Sequence, residues 1–187
     1  MRHVLAMVVI FSGRVCTLAG DRPVTVIVDF DSAHPVAVTR AMQQETSRLL
    51  AALGYSPDWR PRASITESES FDRVAMVHFH GTCSSLEIAG SRVPARMPVG
   101  STAVQNGDVL PFAEIDCSMI GAYISRAIAR RDAATRQQIY GRALGRVVAH
   151  ELEHILSNTK VHESAGIFRE SFSASDLAGA ATFESVR

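Results

Sequence analysis

Hydrophobic and polar positions divide the chain into alternating extended and helical segments. Residues 23–30 (Pro-Val-Thr-Val-Ile-Val-Asp-Phe) are rich in β-branched side chains and predict a strand. Over residues 35–53, Val38, Met42, Leu49, Leu50 and Leu53 line one side of an amphipathic helix, which Gly54 should stop. Residues 55–59 predict a short edge strand, and the polar stretch 60–72, with Pro61, predicts a loop. Another strand is expected over 74–79. Residues 83–108 contain Gly90, Pro94, Pro98, Gly100 and Gly107 and show little periodicity. They predict a long loop, and loops of that length in compact domains are commonly functional, here as the rim of a substrate site. A strand over 110–117 and a helix over 119–129 follow. Asp132 is a fair N-cap for the longest helix, whose apolar stripe is Leu144, Val148, Leu152 and Ile155. It should close near Ser157-Asn158, because Asn tolerates the left-handed conformation. The tail, with Phe172, Leu177, Phe183 and Val186, predicts a short helix that returns apolar groups to the core.

Composition narrows the class. A chain of 187 residues with 47% hydrophobic content suits one globular domain, and nothing repeats at a fixed period. The formal net charge is +0 and no long basic run occurs, which argues against nucleic acid as a partner. Arg2 and His3, the apolar run from Val4 to Phe11, and Thr17-Leu18-Ala19 before Gly20 have the layout of a secretory signal. The expectation is a signal peptide over 1–19, a single domain over 20–187, and a secreted or periplasmic protein. The apolar run is too short for a stable membrane anchor. Removing 1–19 takes Cys16 away and leaves Cys83 and Cys117, an even pair that in an exported chain favours a disulfide; two small buried thiols are the alternative.

The chemistry concentrates in His150-Glu151-Leu152-Glu153-His154, with His162 eight residues after His154. At about 100° per residue, His150 and His154 lie one turn apart on one helix face, so both imidazoles reach one ion. A catalytic zinc site takes about three protein ligands and a water, so a third ligand must come from outside the helix, and His162 is the nearest candidate. Glu151 falls about 20° from Leu144 on the wheel, on the core side, whereas Glu153 falls on the opposite side. A carboxylate on a buried face needs a partner or a role, and proton transfer to and from an activated water is that role. His78 and His80 share a strand face and form a second candidate metal pair, although strand histidines are more often packed or solvated.

The tract Val148-Ala149-His150-Glu151-Leu152-Glu153-His154-Ile155-Leu156, followed by His162 and Gly166-Ile167-Phe168, resembles the metzincin clan of zinc peptidases, in particular small exported bacterial members. The resemblance implies an α+β, metzincin-like fold: a twisted mixed sheet, a long N-terminal helix and an active-site helix carrying HExxH. It also implies a zinc-dependent endopeptidase that acts as a monomer on a peptide or protein substrate, with Zn2+ held by His150, His154 and His162 and Glu151 as general base. Ser157 stands where the clan has glycine and Lys160 where it has the third histidine. No methionine follows Met119, so Phe168 would replace the methionine of the turn beneath the metal. Two alternatives stay open: a gluzincin- or aspzincin-type peptidase using Glu163, Glu170 or Asp176 as third ligand, and a non-catalytic zinc-stabilised binding protein.

Overall fold

The computed structural model describes residues 22–84, 98–164 and 166–180. The expected signal segment, Phe183 and Val186 lie outside them, as does the side chain of Phe168. Strand β1 (Arg22–Phe30) leads into helix α1 (Val36–Ala51) and strand β2 (Tyr55–Pro61). A single turn of 3-10 helix (Arg62–Ser64) and strand β3 (Val74–His80) come next. The hairpin β4 (Gly100–Gln105) and β5 (Asp108–Asp116) precedes helices α2 (Cys117–Ile128) and α3 (Ala133–Ser157). A 3-10 turn (Gly166–Phe168) and helix α4 (Ala174–Ala178) complete the described chain. The architecture is mixed α+β.

The five strands form one sheet in the order β2-β1-β3-β5-β4, parallel except for β4, which runs antiparallel to β5. The residues 55–59 expected at an edge are indeed in the edge strand β2, which extends to Pro61. Alternation sorts the central strands into two faces. Val24, Val26, Val28, Ala75, Val77, Phe79, Ala113 and Ile115 are buried and join one apolar cluster with residues of all four helices. Met76, His78, His80 and Glu114 occupy the alternate positions and are less enclosed.

Two expectations are corrected. The stretch 83–108 is not all loop, because 100–105 form β4; the two-residue turn Asn106-Gly107 has positive φ at both positions (53° and 98°), the backbone that lets tight hairpins follow strand twist. Glu153 does not face solvent. Nearly every residue of α3 from Tyr140 to Glu153 is buried, so this part of the helix is covered well beyond its apolar stripe, and polar wheel positions are inside as well.

Close approach of α1 to α3 fixes the depth of the central helix. A Cβ on Gly141 would lie 2.5 Å from the Val38 carbonyl, and one on Gly145 would lie 2.6 Å from that of Met42. Thr46 on α1 donates to the Gly145 carbonyl at 3.0 Å across the same contact. Tyr140, wholly buried, donates to the Cys117 carbonyl at 2.7 Å and ties α3 to the start of α2. Cys83 and Cys117 form the expected disulfide, with Cα atoms 4.9 Å apart, linking the chain after β3 to α2. Among the described residues, no helix is long and apolar enough to cross a membrane.

Candidate metal centre

Helix α3 begins as the sequence predicts: the Asp132 carboxylate accepts from the Thr135 amide at 2.9 Å. It also ends as predicted, with Asn158 left-handed at φ 47°. That reversal brings Thr159 back over the last turn, where its amide donates to the His154 carbonyl at 3.1 Å. The chain then carries His162 towards the helix face that holds His150 and His154. The three residues each offer a ring nitrogen, all within 4.8 Å of one another. Nε2 of His154 lies 3.1 Å from Nε2 of His150 and 3.2 Å from Nε2 of His162.

These short contacts have a chemical meaning. Nδ1 of His150 donates to the Ile167 carbonyl at 2.6 Å, and Nδ1 of His154 donates to the Thr159 carbonyl at 2.8 Å. The tautomers are assigned from these bonds. Burial pushes the His150 imidazole down to about 4, and burial also lowers that of His154. Both rings are therefore neutral near pH 7 with their single proton on Nδ1. Their Nε2 lone pairs face each other at a distance where two acceptors repel. A cation at the point of convergence removes that repulsion, and imidazoles held by carbonyls through Nδ1 are oriented as zinc ligands usually are. The donor set fits Zn2+.

None of the candidate carboxylate ligands joins this convergent group. Asp176 accepts from the Ser173 amide at 2.7 Å in a capping box and pairs with Arg169 at 2.6 Å. Glu170 lines the cleft and Glu163 is exposed, but neither belongs to the convergent group. Lys160, at the spacing where the metzincin pattern has histidine, also lines the cleft.

Glu151 is buried at the same cleft, which has a volume of about 620 Å³. Burial pushes its carboxyl up to about 7, against the Thr102 hydroxyl, which pulls it down. That hydroxyl donates to Oε2 at 2.8 Å. A cation held by the imidazoles would lower the carboxyl again by direct attraction. Beneath the site, Phe172 meets the His150 ring edge to face at 5.5 Å, and Tyr123 holds the Phe172 carbonyl at 2.8 Å. Arg146, on α3 and almost wholly buried, secures the neighbouring tail: it donates to the carbonyls of Leu177 at 3.1 Å and Gly179 at 3.0 Å, and to that of Asp176.

The structure thus brings His150, Glu151, His154 and His162 to one cleft. The sequence reading missed Thr102 and assigned Gly100 no role in the site, because both fell in the supposed loop, although that loop's expected place at the rim holds for Pro98, Val99 and Gly100. Asn106-Gly107 was the signal that would have revealed β4. Phe172, expected to pack in the core, also lines the cleft against His150. No protein-family model, curated protein or solved structure matches the chain.

Proposed function

We propose that this chain is an exported zinc-dependent peptidase of metzincin-like type. One observation carries the reading: a buried carboxylate, Glu151, adjoins three imidazoles whose ring nitrogens converge, in an open cleft at a sheet edge. Zn2+ bound there supplies Lewis acidity towards a carbonyl oxygen and lowers the pKa of water. His150, His154 and His162 hold the ion as neutral ligands, and the carbonyls of Ile167 and Thr159 keep two of them in register.

Glu151 takes a proton from the attacking water at Oε1 or Oε2 as the water oxygen bonds to the carbonyl carbon, and gives it to the amine nitrogen as the C–N bond breaks. Thr102 fixes the rotamer of the carboxylate through Oε2. Desolvation raises the Glu151 carboxyl and a bound cation would lower it, so the two oppose each other at a group that must first accept the proton and then release it. A purely structural site has no use for a carboxylate held this way. Strand β4 is an edge strand among the described residues, so its outer row of amides and carbonyls can pair with an extended peptide beside the cleft. The Cys83–Cys117 disulfide suits an oxidising compartment.

The test is paired. Glu151→Gln keeps the shape and removes the base, so it should hold zinc about as well as the unaltered chain. Its turnover of casein or an unstructured peptide should fall by at least about 10²-fold. Equal turnover removes Glu151 from the mechanism. A wild-type chain that holds zinc and hydrolyses neither substrate favours the non-catalytic binding protein instead.

A further inference from the structure

We propose a second divalent-cation site, built from Asp31, His78, His80 and Glu114 on the sheet face opposite the buried helices. Asp31, His78 and His80 each offer a ligand atom, all within 4.8 Å of one another. Nε2 of His78 lies 2.8 Å from Asp31 Oδ1, and Nδ1 of His80 lies 3.3 Å from Asp31 Oδ2. Glu114, directly across from His78 in the β3–β5 register, places Oε2 3.2 Å from His78 Nδ1 and also against His80 Nε2. Each carboxylate therefore meets both imidazoles.

The convergence of two imidazoles and two carboxylates from three neighbouring strands is the reason to invoke a cation. All four contacts are hydrogen bonds only if both rings carry two protons. With one proton each, two ring nitrogens aim lone pairs at carboxylate oxygens. One divalent ion resolves this: it takes a lone pair from each neutral imidazole and balances the charge of two carboxylates. Imidazole and carboxylate donors suit Zn2+ and related first-row ions better than Ca2+ or Mg2+. The four side chains are between 31% and 49% exposed, open enough for a hydrated ion to enter.

The place is also prepared by the backbone. Asp31 follows β1, His78 and His80 close β3, and Glu114 stands near the end of β5, so the site gathers the carboxyl ends of three parallel strands. It straddles β1 and β3, where the strand order reverses, β1 being followed by β2 on one side and β3 by β5 on the other, the usual position for ligands in parallel sheets. The Asp31 carboxylate also accepts from the Gly81 amide at 3.3 Å, and Ser32 donates to the Gly81 carbonyl at 2.9 Å. The neighbouring Asp29 is not available, because Arg62 holds it at 2.9 Å.

Zinc titration of the full chain by equilibrium dialysis tests this, with circular dichroism as the check on folding. The wild type should bind two ions, His150→Ala/His154→Ala one, and His78→Ala/His80→Ala one. In the His150→Ala/His154→Ala background, Asp31→Asn and Glu114→Gln should each weaken the remaining ion by at least about tenfold. These two substitutions lie outside the core; if the background itself does not fold, they are read in the wild type as loss of one ion of two. Unchanged affinity in both would mean two adjacent surface imidazoles and no built site, which overturns the proposal. So would a single ion that His78→Ala/His80→Ala retains and His150→Ala/His154→Ala loses, a result that leaves the His150 centre intact.

Discussion

Gly100 lies directly against Glu151: a Cβ added at Gly100 would stand 2.9 Å from Oε1 and 2.8 Å from a methyl of Val147. The edge strand and the central helix therefore meet at the carboxylate itself, with no side chain between them. Thr102, two residues along the same strand, then holds the other oxygen. Gly100→Ala must push Glu151 or Val147 aside, while His150 and His154 keep their carbonyl partners, Ile167 and Thr159. The expected outcome is retained zinc with peptide turnover lowered about 10–100-fold, the scale of a misplaced reacting group. Measuring zinc content and kcat/KM together checks it, and unchanged turnover would mean that the contact does not position the base.

Arg146 is the tie between the helix that carries the site and the tail that backs it. Its guanidinium pairs with Glu45 on α1 at 2.9 Å and also donates to the carbonyls around α4. Arg146→Ala leaves a buried carboxylate with one partner fewer and several carbonyls unsatisfied. Loss of one member of a buried pair costs about 3–5 kcal/mol. Denaturant melts should show that loss. Glu45→Leu/Arg146→Met should recover part of it and no more, because the α4 carbonyls stay without donors; full recovery would show that the clamp on the tail contributes nothing.

The same pair sets the acid limit. Burial would raise the Glu45 carboxyl, but hydrogen bonds from Arg48 and Arg146 outweigh it and hold the group below its ordinary value. Burial pulls Arg146 down in turn, yet a guanidinium stays charged throughout this range. The unfolded chain binds the Glu45 proton more readily than the folded chain, so stability is present above pH ~4.5 and is lost as pH falls through the depressed folded value. Melting temperature against pH, compared between wild type and Glu45→Gln, should show a steeper acid fall in the wild type. Parallel curves would remove Glu45 from the acid transition.

The elements that the sequence predicted well are those whose own residues decide them. Asp132 and Asn158 mark both ends of α3 because caps act locally, and Val24, Val26 and Val28 mark β1 by β-branching. Strand β4 was invisible to hydrophobicity, since Ser101, Thr102 and Gln105 owe their place to pairing with β5 and not to burial. Glu153 was misplaced because a wheel shows which side of a helix is apolar, and not whether the other side is covered too. At the site, the pentapeptide and His162 were legible from spacing. Thr102, Gly100 and Phe172 were not, because each reaches Glu151 or His150 across the fold from a different element.

The proposed third ligand offers the sharpest discrimination. His162 follows a left-handed residue and a backbone reversal, so it is not bound to helical spacing, and the two residues beyond the metzincin pattern are taken up in that turn. Asp176, a carboxylate that an aspzincin-type site would need, already serves the Ser173 capping box and the Arg169 ion pair. His162→Ala should therefore reduce zinc affinity sharply, because two imidazoles make an incomplete site. Asp176→Asn should lower thermal stability by weakening a cap, a change of about 1 kcal/mol, and leave zinc bound. Competition with a chromogenic zinc chelator, run beside a thermal melt for each variant, separates the effects. Zinc retained in His162→Ala and lost in Asp176→Asn, with both proteins folded, would reverse the assignment and transfer the site to the carboxylate.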